Sequence, residues 1–302
     1  MLQMLKKTAL LLATVASFSL PAAAADGFYK MKLGSFTVVA LSDGTVALPM
    51  GQLLVDAKPG EVKQILGDDP NVTTAVNGFL IDTGAKQVLI DTGAGAFFGP
   101  SLGKLSENLK AAGYQPQDID DVLITHLHID HVGGLTANGQ ALFPNATLHL
   151  DKSEAAFWTD KGNATKVDDS VKGSFDVAIA ALQPYRAAGK LATFKPGDTV
   201  VPGIQAIGAA GHTEGHTLYR VTSGSDTLVA WGDLVHAIAV QFKDPAVTIK
   251  FDSTPSDAEK VRLQALRESK AQGYWVAAAH IAFPGIGKVL GDGTGYRWQP
   301  AQ

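Results

Sequence analysis

Four side chains able to ligate metal fall within six residues of the stretch Thr125-His126-Leu127-His128-Ile129-Asp130-His131-Val132-Gly133-Gly134, and this stretch constrains the fold more than any other feature. The apolar run Ile119–Ile124 ahead of it reads as a strand. The two glycines behind it permit a tight turn. The cluster is therefore expected on a loop leaving a strand, where α/β folds place their chemistry. In extended chain His126 and His128 point to the same side, so they can grip one ion. Asp130 and His131 are adjacent and diverge, so they can reach a second ion nearby. Mixed imidazole and carboxylate donors suit zinc and similar first-row ions.

Bulk properties narrow the setting. A chain of 302 residues, 46% hydrophobic and 18% charged, can bury a large core and fits one large domain or two small ones. Residues 1–25 differ in kind: Lys6-Lys7, an apolar stretch from Ala9 to Leu20, then small residues to Ala25. This pattern is that of a secretory signal peptide, and its apolar part is short for a membrane span. A periplasmic or secreted protein is expected, with residues 26–302 as a single domain and no stable membrane insertion after cleavage. The formal charge is −4, or −6 without Lys6 and Lys7, and the body carries no basic run, so nucleic acid is not an expected partner. There is no cysteine, which excludes both disulfides and a cysteine nucleophile.

Further motifs extend the pattern. Asp91-Thr92-Gly93 ends an expected strand, Gln87–Ile90. Gly211-His212-Thr213-Glu214-Gly215-His216-Thr217 follows another, Val201–Ile207. Gly232-Asp233 ends a third, and His280 stands at the end of Tyr274–Ala279, opening the phrase His280-Ile281-Ala282-Phe283-Pro284-Gly285-Ile286-Gly287. The segment His126–His131 resembles the HxHxDH signature of the metallo-β-lactamase superfamily. From about Tyr29 to about Trp298 the chain is similar to its methyl parathion hydrolase-like branch, which includes lactonases. That resemblance implies an αβ/βα sandwich with two mixed β-sheets and two divalent ions, zinc by default, with manganese, cobalt or iron able to take the same donors. His126, His128 and His212 would hold one ion, and Asp130, His131 and His280 the other. Asp233 would bridge, and Asp130 would also assist proton transfer. Asp91 would orient ligands, or else be an ordinary turn residue, and His216 would stiffen its loop. The resemblance also implies homodimers.

For the substrate pocket the resemblance points to Phe98, Trp158, His236, Ile249 and Phe251. Trp158 is equally readable as core, and the aromatic expected near Ser174 is here Phe175. Parathion-specialised members carry an apolar side chain where this chain has His236, and Ile249 and Phe251 are bulkier than their pattern. These departures favour hydrophobic or aromatic lactones and aryl esters, with promiscuous phosphotriester cleavage, over a dedicated organophosphate hydrolase. A β-lactamase, a thioester hydrolase and a non-catalytic metal-binding protein compete with that reading. Two shared cations would lower the pKa of a water from about 15.7 toward neutrality.

The rest of the chain is expected as follows. Residues 26–34 lead in, and Ser35–Asp43 is a strand ended by Gly44. Residues 45–72 are loops with one short helix near Gly60–Leu66, lying over the site or against a partner subunit. Thr74–Ile81 is a strand, Ser101–Ala112 a helix, and Ala146–Leu150 a strand whose His149 is structural or exposed. Lys152–Thr159 is a helix, 160–172 a mobile loop, and Ser174–Gln183 a helix stopped or kinked by Pro184. Leu218–Thr222 and Asp226–Trp231 pair, and a helix capped by Ser256 runs to Gln272.

Overall fold

Alternating apolar residues build two seven-stranded sheets that face each other, and the computed structural model describes residues 27–69 and 71–302. The signal-peptide reading lies outside the described residues. The first sheet holds, in spatial and chain order, β1 (Phe28–Leu33), β2 (Phe36–Pro49), β3 (Asn71–Asp82), β4 (Gln87–Ile90), β5 (Asp121–Leu123), β6 (Thr147–Asp151) and β7 (Leu191–Phe194). It is antiparallel up to β4 and parallel from β4 to β7. The second sheet holds β8 (Thr199–Val201), β9 (Ile204–Gly208), β10 (Thr217–Ser223), β11 (Asp226–Ala230), β12 (Trp275–Ala277), β13 (Ile286–Asp292) and β14 (Gly295–Pro300). Only its β11–β12 pair is parallel. This is the expected αβ/βα sandwich.

The two-residue period of a strand explains the layering. Along β2, Val38 and Ala40 join the core between the sheets, with Phe79, Ile81 and Ile90 from the first sheet and Ile204, Tyr219 and Val221 from the second. Val39 and Leu41 point the other way, into a core shared with the helices Leu105–Ala111, Lys152–Trp158 and Ser174–Ala187. The outer face of the second sheet buries Val229, Trp231 and Val276 against Ala265 and Leu266 of the helix Pro255–Gln272. Both faces of each sheet are thus covered, which is why β4, β5 and β12 read as continuous apolar runs.

Several local expectations are corrected. The lead-in is strand β1, paired along its length with β2. Gly44 does not end β2: the strand passes through it with a bulge between Ser42 and Gly44 and continues to Pro49. The Val201–Ile207 run is split into the hairpin β8–β9, because Gly203 takes a positive φ of 85°. Pro184 sits inside its helix, which runs on to Ala187 and anchors there by burying Tyr185, whose hydroxyl donates to the Leu135 carbonyl. Residues 160–172 hold two short 3₁₀ turns, Lys161–Lys166 and Asp169–Val171, each started by an aspartate (Asp160, Asp168) accepting a backbone N–H. The helix Pro255–Gln272 begins at its proline, with Thr254 and not Ser256 in the capping position. Among the described residues, no helix is long and apolar enough to cross a membrane.

Candidate metal centre

The candidate ligands all follow strand ends at one rim of the sandwich. Asp91 follows β4, residues 126–131 follow β5, His212 follows β9, Asp233 follows β11 and His280 follows β12. The first loop stays extended only as far as His128; Asp130 and His131 lie in a single helical turn, Ile129–Val132. Gly133 and Gly134 serve close packing, not a left-handed turn: Gly133 has φ −61°, and a side chain on either would strike the carbonyl of Ala94 or Thr92.

Hydrogen bonds fix which nitrogen of each ring is free. His131 Nδ1 faces Asp91 Oδ2 at 2.9 Å, and His280 Nδ1 faces the Ala75 carbonyl at 2.9 Å. His212 Nδ1 faces Asp252 Oδ1 at 2.8 Å. Each therefore carries its proton on Nδ1 and turns the Nε2 lone pair inward. Thr125 donates to Asp91 at 2.8 Å, so its oxygen accepts from His126 Nδ1 at 3.0 Å and leaves His126 Nε2 free. His128 is reversed, its Nδ1 lying 3.1 Å from His212 Nε2.

The inward atoms form two adjoining groups, and a third, Asp233, His236 and His280, spans them. His126, His128, His212 and Asp233 offer donor atoms within 4.8 Å of one another, and so do Asp130, His131 and His280. Asp233 touches both: Oδ2 is 3.3 Å from His212 Nε2 and 3.6 Å from His126 Nε2, while Oδ1 is 3.0 Å from both His131 Nε2 and His280 Nε2. Donors on one tetrahedral zinc, with bonds of about 2.0–2.1 Å, stand about 3.3 Å apart, which these spacings match. His126 Nε2, His131 Nε2 and Asp233 Oδ1 are also buried without a hydrogen-bond partner, a condition proteins rarely leave uncompensated. The residues present fit two divalent cations.

The electrostatics show the same crowding. Burial favours the neutral forms of His126 and His128, and neighbouring imidazoles reinforce it, so both are held well below the ordinary histidine range. Burial also opposes the His131 cation, but Asp233, Asp130 and Asp91 outweigh it and hold the ring well above that range, so a metal ion at Nε2 would displace a proton. Burial opposes the Asp233 charge, yet the ring of histidines holds its carboxyl well below the usual range. His216 lies outside both donor groups. Its Nδ1 donates to the Ala209 carbonyl at 3.3 Å, its Nε2 accepts the Asp233 N–H at 3.1 Å, and burial pushes its pKa down to about 3.

A cavity of about 290 Å³ opens onto the metal-capable groups. His128, Asp130, Asp233, His236 and His280 line it together with apolar residues that include Val46, Leu48, Leu53, Phe98, Leu102 and Phe251. Among the described residues, no lysine or arginine lines it. Residues 46–53 therefore lie over the site. Three pocket expectations need correction. Trp158 is fully buried behind the His128 ring, edge-on at 5.1 Å, and packs on Phe175 at 4.5 Å. Ile249 is buried in a separate core with Met50 and Val240. Phe175 turns into the core, so the wall near position 174 is the small Ser174. His149 lies outside the site, its Nε2 bonded to Asp121 at 2.7 Å.

Sequence reasoning missed Asp252, Glu154 and Asp43. Asp252 orients His212 and lies 3.5 Å from Arg262. Glu154 accepts backbone N–H groups from two ligand loops. Asp43 accepts three from the loop carrying Phe98. One signal points to the second of these: Glu154 shares a helix face with Trp158, four residues on, where an apolar residue belongs.

The metallo-beta-lactamase superfamily model matches residues 72–280, which include every candidate ligand. The chain belongs to the metallo-beta-lactamase superfamily. Among solved superfamily structures, the hydrolase AbOPH is 37% identical, with a TM-score of 0.86 over 91% of this chain and 98% of that one. AidC, a dizinc quorum-quenching lactonase, is 27% identical with a TM-score of 0.83, covering 91% and 98%. An atrochrysone carboxyl ACP thioesterase of Passalora fulva is 34% identical over 134 residues, 42% of this chain and 38% of that protein. The chain thus spans well under two thirds of that curated relative's length. An N-acyl homoserine lactonase of Bacillus cereus is 25% identical over 228 residues, covering 68% and 81%.

Proposed function

We propose that this chain is a dinuclear metal-dependent hydrolase that opens hydrophobic or aromatic lactones and aryl esters. The observation that carries the reading is the mixed lining of the cavity. Asp233 stands between two metal-capable groups that open onto it, and the rest of its wall is largely apolar, with no lysine or arginine among the described residues. His126, His128 and His212 would hold one cation and Asp130, His131 and His280 the other, with the Asp233 carboxylate facing both groups. When bound, the cations supply a lowered pKa for a water and polarisation of the scissile carbonyl. Zinc is the default ion for these donors.

The chain's own residues do the rest. The Asp130 side chain is 23% exposed at the cavity edge, against 4% for Asp233, so Asp130 is the carboxylate placed to take and return a proton. His236 Nε2 donates to Asp233 Oδ2 at 3.0 Å and stiffens the bridge. Phe98 and Phe251 present flat walls to a ring or acyl body. A β-lactam carboxylate would find no cationic partner here. The lactonases among the relatives, AidC in particular, support the substrate class. Phosphotriesters enter the same cavity as slower substrates, and the protein works as an exported homodimer.

A matched panel tests the reading: dihydrocoumarin, a long-chain acyl-homoserine lactone, an aryl ester and a dimethyl phosphotriester on the metal-loaded protein. The lactones or ester should have the highest kcat/KM. A phosphotriester preference of about a hundredfold, or roughly 3 kcal/mol in transition-state stabilisation, would overturn the substrate assignment.

A further inference from the structure

One buried carboxylate joins two ligand loops that descend from different sheets. Glu154 lies in the first turn of the helix Lys152–Trp158 and is 1% exposed. Its Oε1 accepts the N–H of Leu127, between His126 and His128, at 2.8 Å. Its Oε2 accepts the N–H of Gly215, three residues after His212, at 2.8 Å. The contact leaves no slack, because a side chain on Gly215 would strike both Asp151 and the Glu154 backbone. Glu154 has no direct contact with the other donor group, where Asp91 holds His131 as well as Thr125 beside His126, and the Ala75 carbonyl holds His280.

We propose that Glu154 is a positioning residue that sets the spacing of His126 and His128 from His212, and so governs the affinity of that cation site alone. The proposal rests on the dinuclear reading above. Both partners of Glu154 are N–H donors, so only a side chain with two acceptors serves both. In Glu154→Gln the amide nitrogen would face one N–H group, and that loop would be released. Partners that orient metal ligands typically change affinity by 10- to 100-fold, and here the change should fall on one ion of two.

The test is stepwise zinc titration of metal-free protein against a chromophoric chelator, for wild type and Glu154→Gln. Wild type should take up two ions. Glu154→Gln should weaken one step by about 10- to 100-fold and leave the other within about twofold. Equal weakening of both steps, or of neither, in Glu154→Gln would overturn the proposal while leaving the dinuclear reading intact. A wild type that takes up a single ion would overturn both. Should Glu154→Gln fail to fold, hydrogen exchange on the wild type decides: the Leu127 and Gly215 amides should open at one shared rate, and unrelated rates would refute the strut.

Discussion

Removing the Asp43 carboxylate should loosen one wall of the cavity, and the structure sets the size of the effect. Asp43 is 1% exposed. Oδ2 accepts the N–H groups of Ala94 and Gly103 at 2.9 Å each, and Oδ1 that of Leu105 at 3.0 Å. Those bonds pin both ends of the loop carrying Phe98 and Leu102, two cavity walls. Burial raises the Asp43 pKa, and the three backbone bonds pull against that rise. Hydrogen bonds to a charged group contribute about 1.5–3 kcal/mol each, offset in part by the carboxylate's own desolvation, so Asp43→Ala should lose about 4–6 kcal/mol. Asp43→Asn keeps the oxygen serving two N–H groups and opposes the third with an amide, a loss of about 1–3 kcal/mol. At about 2–4 °C per kcal/mol, Asn should lower Tm by about 2–12 °C and Ala by clearly more. Thermal unfolding followed by circular dichroism measures this, and KM for an aromatic lactone should rise more than kcat falls. A Tm within about 1 °C of wild type in Asp43→Asn, or equal losses in the two variants, would refute the reasoning.

Three further perturbations separate neighbouring roles. Trp158→Ala should cost about 3–5 kcal/mol, because the ring is core, and a raised KM with unchanged Tm would return Trp158 to the substrate wall. His236→Leu replaces a polar cavity residue with an apolar one and should raise phosphotriester over lactone turnover; an unchanged ratio would show that this side chain does not shape the pocket. Burial pushes the Glu154 carboxyl up to about 7 from an ordinary 4.5, against the pull of the Leu127 and Gly215 N–H groups, so the carboxylate that accepts both prevails only above that pH. The shift's contribution to stability is complete below pH 4.5 and is lost as pH rises through about 7. Metal-free wild type should therefore lose stability relative to Glu154→Gln across that window in chemical denaturation, and a pH-independent difference would contradict it.

How much the sequence discloses follows from how local each signal is. His126, His128, Asp130 and His131 lie within one loop, so their spacing alone announces metal chemistry. Asp91, His212, Asp233 and His280 each follow an apolar strand, and that position makes them legible one by one; their convergence is a property of the assembled sheets. Glu154, Asp252 and Asp43 act across 27 to 62 residues of chain through backbone N–H groups or a ring nitrogen, and nothing beside them in the sequence names the partner. Trp158 illustrates a different limit. Its place on a helix is readable, but whether the ring faces the cavity or the core depends on how that helix is rotated against Phe175 and His128. Gly44 and Pro184 have the local character of breaks, yet pairing with β3 carries the chain through the first and burial of Tyr185 carries it past the second.

The most direct measurement is anomalous scattering at the zinc edge from a crystal of the protein grown with zinc. Two peaks are expected on either side of Asp233, one within about 2.0–2.3 Å of nitrogens of His126, His128 and His212, the other equally near Asp130, His131 and His280. A lone peak, or peaks bound elsewhere with these seven side chains left apart, would contradict the dinuclear centre.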